Sequence, residues 1–248
     1  MSSTEKNKGI LDRIGQTWKA SFRDIVLIVV SILIAFALDA WWQAGRDRAF
    51  VRTQMVGLLD ELISTHKELK IFLENLESAS MGTKQILERM GPSPEPIQSP
   101  ELIELFGTSF DVAVYHPAKP TLDSMLASGE LSNVDPALLA KLEAWQMNAN
   151  NIRIDSEHLE RNREIDFLPA IKNTGYSFRA IVPPDLIGIT PTKFPTNTHA
   201  LLSSSEVESV LTMRQTRTYF LIRAVEFNIN HLDQTIALLK QELGESSN

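Results

Sequence analysis

The run Ile25-Val26-Leu27-Ile28-Val29-Val30-Ser31-Ile32-Leu33-Ile34-Ala35-Phe36-Ala37-Leu38 is continued by Asp39-Ala40-Trp41-Trp42, and Ser31 is the one polar side chain in its first fourteen residues. Read as a single helix, residues 25–42 number 18 and reach about 27 Å at about 1.5 Å per residue, the short end of what crosses a bilayer. A core helix needs one apolar stripe, whereas this segment is apolar all round, so it predicts a transmembrane helix. Its ends carry interface chemistry. Trp41 and Trp42 suit a headgroup layer, and Arg23 with Asp24 marks the opposite boundary. Asp39 lies one turn inside the tryptophan end, where its carboxylate reaches water; that depth favours an interface residue over a proton carrier. Ala35-Phe36-Ala37 also has the small-x-small form of a signal-peptidase site, but the charged stretch in front is long and nothing breaks the helix before it.

Upstream, Ile10, Ile14, Trp18 and Phe22 fall four apart with Arg13, Lys19 and Arg23 around them, the pattern of a segment lying on a membrane surface. Lys6, Lys8, Arg13, Lys19 and Arg23 precede the apolar run and Arg46, Arg48 and Arg52 follow it, which predicts a cytoplasmic N-terminus. The chain then reads as a cytoplasmic tail with an interfacial segment (1–24), a transmembrane helix (25–42) and a periplasmic or otherwise extracytoplasmic helical domain (43–248). The location that follows is the bacterial inner membrane, single-pass.

Downstream there is no proline until Pro92, so the membrane helix is expected to run on into water. Val51, Met55, Leu58, Leu62, Thr65, Leu69, Phe72 and Leu76 recur at alternating steps of four and three, a heptad seam. Ile222, Val225, Ile229, Leu232, Ile236, Leu239 and Leu243 repeat it near the other end of the chain, with capping hydroxyls at 203–205 and a stop at Gly244. Two such stripes are most simply satisfied as antiparallel partners, with a homo-oligomeric coiled coil as the alternative. Asp135-Pro136 predicts the N-cap and first residue of a third long helix, with Leu138, Leu142, Trp145, Ala149, Ile152 and Leu159 on its apolar face and Pro169 closing it. Shorter helices are expected over 100–106 and over 121–128, the latter with Thr121 as cap and Gly129 just past its end. The proline-rich 91–100 and 182–195 read as irregular. The predicted class is all-α: a single transmembrane helix continuing into an extracytoplasmic bundle of three or four helices, with long antiparallel heptad helices.

Composition narrows the chemistry. Thirty-one acids against 24 bases leave a net charge of −7, which argues against nucleic-acid binding, and the absence of cysteine removes thiolate metal sites, disulfides and Cys nucleophiles. No glycine-rich phosphate loop occurs, and among the five histidines only Asp155 with His158 has ligand-pair spacing, so no metal and no cofactor are expected. Ser64-Thr65-His66-Lys67 has the Ser-x-x-Lys spacing of penicillin-recognising enzymes, and Asn173-Thr174-Gly175 resembles their Lys-Thr-Gly element without its lysine. Ser64 and Lys67 fall between core positions of a heptad helix, which makes a solvated face the better account.

Asp24 to Ala35 followed by Asp39-Ala40-Trp41-Trp42 resembles an uncharacterised family of bacterial single-pass membrane proteins. In that family an acid, an aliphatic run, Ile-Leu-Ile-Ala and an Asn/Asp-x-Trp element lead into a charged helix. Thr121-Leu122-Asp123-Ser124-Met125-Leu126-Ala127-Ser128-Gly129-Glu130-Leu131 is similar to a second element there. Ser31 stands where the family usually has Gly, and Asp39 where it has Asn. The resemblance implies topology and no activity. The reading of the whole sequence is a non-enzymatic accessory or scaffold module of a membrane complex or homo-oligomer, touching lipid through Trp18, Arg23, Asp39, Trp41 and Trp42. An extracytoplasmic sensor or ligand-binding module is the alternative, and a serine enzyme using Ser64 and Lys67 ranks below both.

Overall fold

The computed structural model describes residues 3–181, 188, 190, 192–194 and 196–244, and their side chains except at 3–26, 28, 44, 47, 48, 132 and 133. Most of the proline-rich 182–195 stretch lies outside the described residues. Among the described residues every regular element is helical, in agreement with the all-α class. The chain forms two units, Met1–Gln54 and Met55–Asn248. Among the described residues the first consists of the early part of helix α1 (Ser3–Arg89).

The second unit is built on three long helices: the rest of α1, α4 (Pro136–Asn162) and α7 (Ser205–Leu243). On α1 the buried stripe is Met55, Leu58, Leu62, Thr65, Leu69, Phe72, Leu76, Ala79, Thr83 and Ile86, alternating steps of three and four beyond the predicted end of the seam. Val51 is only half-buried. Asp135 caps α4 by accepting the Ala137 N–H at 2.7 Å, and all six predicted apolar positions of this helix are buried. Ser204 caps α7 through the Val207 N–H, and Gly244 ends it in the left-handed conformation at φ 72° that favours glycine.

Cross-helix bonds fix the directions. His66 and Ser80 of α1 reach Asp233 and Gln215 of α7, so residue numbers rise on one helix as they fall on the other. Lys141 and Leu159 of α4 likewise meet Gln234 and Arg214 of α7. α7 is therefore antiparallel to both neighbours.

The register of α7 differs from the sequence reading. The buried stripe runs Val207, Leu211, Arg214, Thr218, Leu221, Val225, Asn228, Leu232, Thr235, Leu239 and Leu243, with Ile229 beside it. Ile222 and Ile236 are half-buried. The stripe follows the 3-4 alternation that keeps both neighbours in contact, even where that places polar side chains inside.

Pro169 does not close the third helix either. Arg163–Phe167 forms a π turn in which the Leu168 N–H reaches back to Arg163 O, and α5 (Leu168–Asn173) follows with Pro169 in its first turn, where a missing N–H leaves no bond unmade. α2 extends over Ser99–Phe110, past the predicted 100–106. It packs with α5, α6 (Thr198–Leu202) and the start of α7 around Phe106, Phe167, Ile171, Leu201 and Leu211. α3 begins at Pro120 rather than with Thr121 as cap; the Thr121 and Leu122 N–H groups donate instead to the Glu61 carboxylate of α1, at 2.7 and 3.4 Å. Gly129 ends α3 at φ 75°, as predicted.

Gly82 sets how closely α2 approaches α1. A Cβ there would lie 2.9 Å from Ser109 Oγ and 3.1 Å from Leu105 O, whereas one at Gly107 meets nothing within 4 Å. Gly107→Ala should stabilise the fold by up to about 1 kcal/mol through helix propensity. Gly82→Ala should instead destabilise it by about 1–3 kcal/mol through overpacking. Thermal unfolding followed by circular dichroism checks both; a gain at Gly82 would contradict the close approach.

Candidate functional site

Two features stand out against an ordinary helical bundle: the apolar run of the first unit and a charged residue inside the second. Along the run every described side chain from Leu27 to Gln43 is exposed, Phe36 at 69% and Trp41 at 73% among them. The polar groups in it are held by the helix itself. Ser31 Oγ donates to Leu27 O at 2.7 Å, and Gln43 Nε2 donates to Asp39 Oδ2 at 2.9 Å one turn on. Asp39, Trp41 and Trp42 thus share one end of the run, while the side chains of Trp18 and Arg23 lie outside the described residues. Among the described residues no helix is long and apolar enough to cross a membrane. Of the run, the side chains of Ile25, Val26 and Ile28 lie outside the described ones.

Arg214, in the buried stripe of α7, is 2% exposed. Its Nε donates to Ser109 O and its Nη1 to Leu159 O, both at 3.0 Å, and its guanidinium carbon lies 4.1 Å from the centroid of the Phe110 ring. These acceptors sit where helices give up their own bonding. Ser109 is in the last turn of α2, and at the end of α4 the Arg163 N–H turns to Glu160 O, one residue short of the α-helical partner Leu159 O. The guanidinium therefore caps two helix ends at once and stacks on an aromatic group in which Phe110 and Phe167 lie 4.2 Å apart. Burial lowers its pKa to about 10; the nearby Glu160 charge opposes that shift and Arg163 adds to it. It remains a cation at neutral pH.

Other buried polar groups escape a reading by residue type. His66 Nε2 is buried and lies 2.9 Å from Asp233 Oδ1. Tyr115 stacks on Phe72 at 5.4 Å between centroids and donates its backbone N–H to Ser156 Oγ, while its buried hydroxyl meets no protein partner among the described residues. Burial, aided by the Glu68 charge, raises the Tyr115 pKa above its ordinary 10.0. Both amide atoms of Asn228 and the Trp145 indole N–H are also buried without a protein partner among these residues.

The residues considered for catalysis do not assemble. Ser64 is exposed and donates to Glu68 Oε1 at 3.3 Å rather than to a base presented by Lys67, itself exposed. Asn173-Thr174-Gly175 lies at the end of α5 and not on a strand. Among the described residues no group of three or more His, Asp or Glu side chains is placed to hold a metal ion. A cleft of about 430 Å³ on the second unit is lined by His116, Lys119, Glu143, Gln146, Met147 and Arg153. Its cations are already matched, Lys119 by Asp123 at 2.9 Å and Arg153 by Glu157. No family model, curated protein or solved structure matches the chain.

Arg214→Leu should destabilise the fold by about 2–4 kcal/mol, because two buried carbonyls lose their donor. Arg214→Lys should recover little of that, since an ammonium cannot span both acceptors. Urea unfolding measures both, and a loss under about 1 kcal/mol for Arg214→Leu would refute the capping role. For Tyr115 the folded-state pKa is the raised one, so its contribution is fully present below pH 10.0 and is lost as pH climbs further. Tyr115→Phe should leave neutral-pH stability within about 1 kcal/mol and extend folding to higher alkaline pH. An unchanged alkaline midpoint in a pH titration of the circular dichroism would contradict this.

Proposed function

We propose that the chain is a membrane-anchored, non-enzymatic helical module. Residues 25–42 hold it in the bacterial inner membrane with the N-terminus cytoplasmic, and the helical part beyond serves as an accessory or scaffold subunit of a membrane complex or of a homo-oligomer. Its partners on this reading are the lipid bilayer and a protein, not nucleic acid. Membership of the single-pass family whose span signature residues 24–42 resemble is part of the same proposal.

One observation carries it: the helix between Leu27 and Trp42 is apolar all round and its described side chains are exposed all round. Ten large apolar side chains there, from Leu27 to Trp42, each expose about half of their surface or more. At about 1 kcal/mol for each half-exposed side chain, leaving them in water costs on the order of 10 kcal/mol, as much as a whole domain's stability. Lipid removes that cost, and a helix is the one open-ended element whose backbone needs nothing from the bilayer. The tryptophans at one end and Asp39 one turn inside them match a headgroup boundary.

The cleft beside Lys119 and Arg153 favours a second reading, an extracytoplasmic ligand-binding module. Its balanced charges point to a small neutral or zwitterionic guest. A thermal-shift screen of the full chain in detergent, with such molecules as the probe set, separates it from a scaffold.

Alkaline carbonate washing of membranes that contain the full chain should leave it in the pellet, and Val30→Asp with Leu33→Asp should shift it to the supernatant. A C-terminal alkaline phosphatase fusion should be active. Recovery of the unaltered chain in the carbonate supernatant would overturn the anchor, and an inactive fusion would reverse the orientation.

A further inference from the structure

The apolar stripe of α7 is interrupted by Asn228, which stands between Val225 and Leu232 and is 0% exposed. On α4 the wholly buried Trp145 occupies the matching place. The cross-helix bonds give the register. His231 Nε2 of α7 lies 2.9 Å from Lys141 O of α4. Asn228 comes three residues before His231 and Trp145 four residues after Lys141, so one turn along each antiparallel helix, in the same direction, brings the two to a common level. Fourteen residues further along both helices, Arg214 meets Leu159 O, which fixes the same register from the other side.

Three polar atoms lie at this level: Trp145 Nε1, Asn228 Oδ1 and Asn228 Nδ2. Each is out of reach of bulk solvent and has no protein partner among the described residues. Buried polar atoms of folded proteins find a partner in the protein or in an ordered water, because an unpaired one gives up its hydration for nothing. Other polar residues on the same line of α7 follow that rule within the protein. Thr235 Oγ1, seven residues on, donates to His231 O at 2.9 Å, and Arg214 donates to two carbonyls. Asn228 and Trp145 stand in mid-helix, where the surrounding carbonyls serve the helices' own ladders.

We propose that the interface between α4 and α7 binds a water molecule at this level, which accepts the Trp145 N–H and bonds the Asn228 amide. The inventory of groups selects the ligand. An indole nitrogen only donates, while the amide carries one acceptor oxygen and one NH2 group. A metal cation would face the indole hydrogen, an anion would face the amide oxygen, and an apolar guest would satisfy none of the three atoms. Water offers lone pairs to the N–H groups and an O–H to Oδ1, and two or more polar partners are what a buried water requires. The site depends on the contact between α4 and α7 and not on the membrane anchor. It gives Asn228 a task at a position where an aliphatic residue would otherwise pack.

The indole proton of Trp145 reports on the site directly. In the full chain in detergent, labelled with nitrogen-15 at its tryptophans, the Trp145 signal is the one that disappears in Trp145→Phe. In the unaltered chain that proton should give a nuclear Overhauser cross-peak to water, with the sign of a water held longer than the molecule takes to tumble. Asn228→Leu fills the site with an apolar side chain and removes the amide, so the cross-peak should be lost and the indole signal should shift towards that of an unbonded N–H. Asn228→Val gives the same reading if the longer side chain unsettles the bundle. Absence of the cross-peak in the unaltered chain overturns the buried water, and needs no variant of Asn228 to do so. A cross-peak that survives both Asn228→Leu and Asn228→Val overturns the part assigned to Asn228.

Discussion

The second unit depends on one constraint: a helix nearly forty residues long with one apolar stripe must be covered along its whole length by partners of the same period. α7 is covered by α1 on one side and α4 on the other, both running against it. An isolated helix of this composition is marginal in water, so the stripe and its two covers form together or not at all. The constraint is strict enough to bury Thr218, Asn228 and Thr235 along with the leucines, because the period and not the polarity of each residue decides which positions face inward. Where the stripe reaches Arg214, the surroundings supply two helix carbonyls and an aromatic face to receive a charge.

Much of this architecture can be read from residue order. The α1 seam, the six apolar positions of α4, the Asp135 and Ser204 caps and the terminal Gly129 and Gly244 are local signals, and local physics determines them. The departures share a cause at longer range. α7 carries more aliphatic residues than its stripe needs, so choosing the greasiest line selects Ile222 and Ile236 where the bundle takes Leu221 and Thr235. Pro169 stops an α-helix only if the turn before it stays α-helical, and widening that turn is favourable because Arg214, 45 residues further along the chain, holds the carbonyl at Leu159. The cap of α3 comes from Glu61, sixty residues upstream of Thr121, and no reading of the 119–123 sequence contains it.

The candidate sites divide in the same way. The apolar run is legible at once, since an all-round apolar helix needs no partner to be recognised. Arg214 is not, because arginine by type belongs at the surface and only its carbonyl acceptors justify its burial. The two units also distribute their apolar surface in opposite senses. From Leu27 to Trp42 the described side chains expose it on every side; beyond Met55 most of it is gathered into stripes that face inward. A chain built so is suited to two solvents, and the proposed anchor is the simplest account of the first.

The placement of the indoles gives the molecule separable optical reporters. Three of the four tryptophans, at 18, 41 and 42, precede the second unit, and the fourth, Trp145, is wholly buried at the centre of α4. In a variant whose early tryptophans are replaced by phenylalanine, emission therefore tracks hydration of the bundle interior alone. A variant that keeps only Trp41 and Trp42 registers the medium around the first helix, whether aqueous, detergent or lipid. The same polypeptide can in this way be asked two independent questions with one lamp.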